Sequence, residues 1–257
     1  MAKLKTFFIL AMLSGLLAVG CGSTKRIVGD DLSDQELFER GMKHLANEDW
    51  DKAIQDLDRV ELKNPKSEYL ADAKLGAADA RYRKNRPAEY LRAIAEYQSF
   101  IKLYPLHQRV DWAYFQLGGC HFKISEKYYR DQTDTMKAVQ YYREFLDKFP
   151  DSVYRADGDR KLKACMEKLA EGEFYVGKFY LKKKKYLAAS QRLKGILEKY
   201  PDFTRTEEVY FTLARTLQKL GNYAEAEIYY QKLMKKFPGG AFADEAEENL
   251  KEIEKNA

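Results

Sequence analysis

The residues that could carry reaction chemistry are few. There are three histidines, His44, His107 and His121, and three cysteines, Cys21, Cys120 and Cys165. Cys120 and His121 would form a thiolate–imidazole pair if their side chains met, but adjacent residues on a helix diverge by about 100°. No His-Glu-x-x-His, Cys-x-x-Cys or Gly-x-Ser-x-Gly pattern occurs, and no phosphate-cradling glycine loop. The 40 Asp and Glu residues read as solvated helix faces. No nucleophile has its base and no metal has its ligands, so the sequence reads as non-catalytic, without cofactor or metal. The sharpest charge feature is Lys182-Lys183-Lys184-Lys185. Lysines are favoured where a helix ends, by its partial negative charge, and a solvated turn is one reading of them. An acidic docking partner is a second reading, and an anionic lipid surface is a third. With 45 Lys and Arg against 40 Asp and Glu, the net charge of +5 over 257 residues leaves no concentrated basic face for nucleic acid.

The N-terminus reads as a targeting segment. Lys3 and Lys5 precede an apolar run from Phe7 to Val19, which is too short for a comfortable membrane span. Residues 1–20 are predicted to be a signal peptide and 21–32 a tether. Gly20-Cys21 resembles a bacterial lipobox, although Ala18 stands where leucine is commoner. That resemblance implies a Cys21 acylated on sulfur at the mature N-terminus. Gly22, in place of aspartate, implies sorting to the outer membrane by likeness to enterobacterial lipoproteins. An ordinary signal peptide with an unmodified Cys21 is the alternative. Removing two lysines with residues 1–20 lowers the net charge from +5 to +3. Cys120 and Cys165 would then share an oxidising compartment. Two buried thiols or one disulfide both fit, because sequence cannot place two Cβ atoms within bonding range.

An internal repeat organises the rest. Pro65, Pro105, Pro150, Pro201 and Pro238 each follow an alanine by twelve residues: Ala53, Ala93, Ala138, Ala189 and Ala226. Four residues after each alanine come Leu57, Tyr97, Tyr142, Leu193 and Tyr230. Seven after it come Val60, Phe100, Phe145, Ile196 and Leu233. Steps of four and three draw one apolar stripe along a helix. Alanine is small where a neighbour comes close, and proline stops the helix. Gly177 lies twelve residues before Ala189, in Val176-Gly177-Lys178-Phe179-Tyr180, and Gly41 lies at the same offset from Ala53. Together these make the signature of a tetratricopeptide repeat. The fold class predicted is all-α, a right-handed superhelical solenoid of five helical hairpins with a capping helix at "DEAEENLKEIEK". Ser33-Asp34-Gln35-Glu36 reads as a capping box opening the first helix. Repeats one and two would span 33–108, and repeats three to five 109–257. The lead-in to repeat four has only Gly172 as a candidate breaker after Gly158, which suggests one elongated helix.

The lipobox, the five repeats, the turn Arg130-Asp131-Gln132-Thr133 and the stretch "FLDKFPDSVYRADGDRKLKACMEKLAEGEFYVGKFYLKKKKYLAA" resemble the BamD (ComL) family. These are lipoproteins of the outer-membrane β-barrel assembly machine. The likeness covers essentially the whole mature chain and is most specific over 130–205. It implies a non-catalytic scaffold, lipid-anchored on the periplasmic side of the outer membrane. Its N-terminal half would recognise unfolded outer-membrane proteins, and its C-terminal half would dock on the periplasmic domain of the barrel subunit BamA. The inward positions of repeat one, Gln35, Phe38, Met42 and Leu45, are the peptide-binding candidates; inter-helix packing is the other reading of them. Lys183, Lys184 and Tyr186 are the partner-binding candidates. The four-lysine turn departs from the Arg and Gly expected there. Two other readings stay open: another periplasmic repeat scaffold, of the Tol-Pal-associated or cell-division-coordinating type, and a repeat-bearing envelope enzyme, for which no catalytic domain has room.

Overall fold

A computed structural model describes residues 32–256 of the protein. They form five helical hairpins in succession. α1 (Asp34–Ala46) pairs with α2 (Trp50–Lys63), and α3 (Leu70–Arg83) with α4 (Pro87–Leu103). α5 (Val110–Ile124) pairs with α6 (Thr133–Lys148), α7 (Arg155–Lys182) with α8 (Tyr186–Lys199), and α9 (Thr206–Lys219) with α10 (Tyr223–Lys236). A last helix, α11 (Ala243–Asn256), closes the array. Each helix packs chiefly on its neighbours in sequence, the arrangement that defines a solenoid. From Ser33 onward the chain is one compact unit. The predicted signal peptide, Cys21 and the tether up to residue 31 lie outside the described residues.

The register read from the prolines holds at every hairpin. Ala53, Ala93, Ala138, Ala189 and Ala226 are all 0% exposed, and none of the ten residues four and seven positions later exceeds 2%. The residue before each proline is forced out of helical angles: ψ is 98° at Asn64 and 56–65° at Tyr104, Phe149, Tyr200 and Phe237. Gly41 shows why the first helix needs a small residue facing that stripe. A Cβ there would meet Leu57 Cγ at 2.7 Å. The capping box forms as read: Ser33 Oγ accepts the Glu36 N–H at 3.2 Å, and the Glu36 carboxylate accepts the Ser33 N–H at 2.8 Å. At the other end α11 turns Ala246, Leu250 and Ile253 into the last core cluster and leaves its acidic residues in solvent.

The elongated helix is α7, with 28 residues running through both Gly158 and Gly172. Gly172 has a specific reason to lack a side chain. A Cβ there would lie 2.7 Å from the backbone oxygen of Tyr128, so the loop between α5 and α6 rests directly on α7. Gln132 braces that loop by donating to the carbonyls of Lys127 and Arg130 at 2.8 and 3.1 Å. Lys168 of α7 donates to Ser125 Oγ at 2.6 Å. Asp131 accepts from the Thr133 N–H at 3.3 Å and from its hydroxyl at 2.9 Å, a turn that leads into α6 one residue ahead of its N-cap, Gln132.

Repeats two and three share a polar hub that the periodicity did not reveal. Asp79 of α3 is buried. Its Oδ1 accepts from Tyr97 Oη at 2.6 Å and Trp112 Nε1 at 2.8 Å, and its Oδ2 accepts from Arg109 at 3.1 Å. Burial raises its pKa, against the lowering pull of those donors. The core cluster around it draws on α3, α4 and α5, so packing is continuous across residue 108. Cys120 and Cys165 are separate, free and buried thiols. They belong to different core clusters.

Candidate partner-docking surfaces

The four candidates of repeat one follow one face of α1 at steps of three and four residues. Gln35 is exposed and bonds Glu39 at 2.9 Å. Phe38 is half-buried and stacks on Tyr69, ring centroids 5.1 Å apart. Met42 and Leu45 point toward Gly76 of α3, where a Cβ would meet Met42 Sδ at 3.3 Å and Leu45 Cδ2 at 3.8 Å. The three apolar members therefore help pack α1 against α3 while keeping a partly exposed edge. That edge is apolar, adaptable at Met42, and polar at the Gln35 end.

The lysine run closes the α7–α8 turn. The Lys185 N–H donates to the Tyr180 carbonyl at 2.9 Å, and Lys184 adopts φ +57°. This six-residue closure with a left-handed residue is repeated at Glu48 and at Gly221, so backbone geometry alone does not call for lysine. The side chains of Lys182, Lys183, Lys184 and Lys185 are all exposed, and Tyr186 is half-buried as the first residue of α8. Lys183 Nζ lies 5.9 Å from the centre of the Phe179 ring.

Phe179 is part of an aromatic strip that sequence reading did not single out. Tyr175, Phe179 and Lys183 recur every four residues along α7, which puts them on one stripe. Tyr128 and Tyr129, from the loop seated on Gly172, meet Tyr175 at 5.9 and 6.0 Å. Tyr128, Tyr129, Tyr175 and Phe179 are 40–49% exposed. The signal was present in the spacing of 175, 179 and 183. The two loop tyrosines join only because an inserted loop folds back some 45 residues. The candidates of α1 and those of the α7–α8 turn stand on the first and fourth hairpins, as two separate surfaces.

The titratable candidates take structural positions. His121 Nδ1 lies 2.9 Å from Asp134 Oδ1, and its ring stacks on Tyr141 at 5.3 Å. Burial lowers the His121 pKa and raises that of Cys120; it pushes the Cys165 thiol up to about 12. Burial thus favours the protonated, less nucleophilic form of both thiols. His44 lies 3.8 Å from both Asp49 and Asp56, and His107 3.6 Å from Asp72. Among the described residues no group of three or more His, Cys, Asp or Glu could hold a metal ion, and no helix is long and apolar enough to cross a membrane.

Stacked hairpins with the alanine–proline register define the class: a tetratricopeptide-repeat solenoid. The family model "YfiO: Outer membrane lipoprotein" matches residues 30–233, and the chain belongs to that family. Curated relatives carry the name "Outer membrane protein assembly factor BamD". One, from Caulobacter vibrioides, is 29% identical over 234 residues, covering 90% of this chain and 76% of that protein. Another, from Pasteurella multocida, is 26% identical over 230 residues, covering 86% of each. Among solved structures, the TPR2AB domain of yeast Sti1 in complex with pHSP90 is 19% identical with a TM-score of 0.43, covering 80% of this chain and 78% of that one.

Proposed function

We propose that this protein is an outer-membrane protein assembly factor, a non-catalytic scaffold held on the periplasmic side of the outer membrane by lipid on Cys21. Its first hairpins take extended segments of unfolded barrel proteins along the Gln35–Leu45 face. Its fourth hairpin docks on the periplasmic domain of a BamA-like barrel subunit. Family membership supports the overall role, as does the shared name of relatives that match along most of their length. The observation that carries the docking assignment is the aromatic–basic strip from Tyr128 through Phe179 to Lys183. It joins apolar contact area to concentrated positive charge at one rigid helix end. Exposed ion pairs contribute only about 0.2–1 kcal/mol each. Lys183 and Lys184 therefore steer and orient an acidic partner, while Phe179, Tyr175 and Tyr186 supply contact area.

The purified periplasmic domain of the barrel subunit, titrated against the mature chain in stopped flow, tests this. Changing both Lys183 and Lys184 to glutamate should slow association about tenfold at low salt and flatten its salt dependence. Helical content should not change. Association that keeps its wild-type rate and salt dependence makes the turn merely solvated and removes the docking assignment.

A further inference from the structure

A second basic surface borders the lysine turn and shares Lys182 with it. The first helices of the last two hairpins, α7 and α9, enclose a groove of about 440 Å³ that ends at Phe242, just before α11. Four cations line it, Lys178 and Lys182 from α7 and Arg215 and Lys219 from α9, against a single carboxylate, Glu208. Glu208 is already engaged by Lys178 at 3.1 Å and Arg205 at 2.6 Å. Arg215 reaches Glu245 at 3.5 Å and lies 5.4 Å over the Phe211 ring. Lys182 and Lys219 are exposed and have no hydrogen-bond or ion-pair partner among the described residues.

The floor between those lysines is apolar and fixed. Phe211 is 4% exposed and stacks on Phe242 at 4.8 Å with a 22° tilt; Leu181 completes it. Unneutralised cations at the rim of an apolar floor complement a ligand that carries carboxylates around an apolar side chain. A simple phosphate would leave the floor unused. The volume suits two or three side chains rather than a folded domain.

We propose that this groove binds an acidic peptide segment of a partner protein, with carboxylates at Lys182 and Lys219 and one aromatic or aliphatic side chain on Phe211 and Phe242. This goes beyond the docking of the fourth hairpin, because neither Lys183 nor Lys184 lines the groove. The contact is mainly electrostatic at its rim, so it forms fast and weakens with salt.

Fluorescence anisotropy on the whole mature chain tests it. The probe is an amidated, fluorescein-labelled hexapeptide with three glutamates flanking one phenylalanine. Binding should fall about tenfold or more when glutamate replaces both Lys182 and Lys219. It should stay unchanged in Lys102→Glu, an exposed charge reversal on α4. Phe242→Ala should weaken the phenylalanine peptide and leave its alanine counterpart unaffected. Lys182 and Lys219 are exposed, and an unchanged thermal melt of the double variant shows that loss of binding is not loss of fold. The proposal is overturned if the peptide does not bind, or if its glutamine counterpart binds equally. It is also overturned if phosphatidylglycerol vesicles, and not the peptide, lose binding in the double variant.

Discussion

Asp79→Ala is expected to destabilise the repeat array by about 3–5 kcal/mol, the cost of removing one partner from a buried charged network. The Tyr97 hydroxyl, the Trp112 indole N–H and the Arg109 guanidinium all converge on that carboxylate. Alanine would leave the hydroxyl and the N–H unpaired in the core between repeats two and three. For a domain of this size the fall in Tm should be roughly 6–20 °C. Asp79→Asn keeps the oxygen that serves Tyr97 and Trp112 but puts an NH2 donor where the charged oxygen accepted from Arg109, so that one hydrogen bond and the charge are lost. It should cost about 1–2 kcal/mol. Thermal unfolding followed by circular dichroism reads both variants. An alanine variant within about 1 kcal/mol of wild type would show that the hub does not hold the two repeats together.

Gly172→Ala and Gly195→Ala are expected to move stability in opposite directions. Glycine inside a helix costs about 0.5–1 kcal/mol relative to alanine. At Gly195, in α8, a Cβ would meet nothing within 4 Å, so alanine should stabilise by about that amount. At Gly172 the same methyl would lie 2.7 Å from a backbone oxygen of the loop. A flexible side chain could swing aside, but the Tyr128 carbonyl can move only if the loop lifts. Overpacking of this kind costs about 1–3 kcal/mol, which outweighs the helix gain. Gly172→Ala should therefore be destabilising, and it should speed proteolysis within residues 125–132. It should also loosen Tyr128 and Tyr129 from Tyr175 and weaken docking of the fourth hairpin. Equal stabilisation by the two substitutions would mean that the loop is not seated on α7.

The parts of the fold legible in the sequence were those that repeat. Proline acts on its own predecessor, and the alanine stripe acts within one turn or two of helix, so five registers could be aligned with no knowledge of tertiary contacts. α7 was legible because nothing between Gly158 and the repeat motif could stop a helix. Asp79 was not. In "LGAADARY" it reads as an ordinary helical aspartate, and its partners Arg109 and Trp112 come 30 and 33 residues later on another hairpin. The aromatic strip was half legible, with Tyr175, Phe179 and Lys183 at helical spacing but Tyr128 and Tyr129 hidden in an insertion. The groove between α7 and α9 depends on which faces two non-adjacent helices turn to each other. No local pattern encodes that.

The role proposed for this protein is the handling of unfolded barrel proteins on their way into the outer membrane. Photocrosslinking in the bacterium that encodes it tests this most directly, with the reactive residue placed at exposed Gln35 or half-buried Phe38 and a barrel protein pulse-labelled during export. The labelled chain should be captured early in the chase, capture should fade as the barrel becomes heat-modifiable, and it should be lost when the last strand is scrambled. Absence of capture, or equal capture of the scrambled chain, would contradict that role.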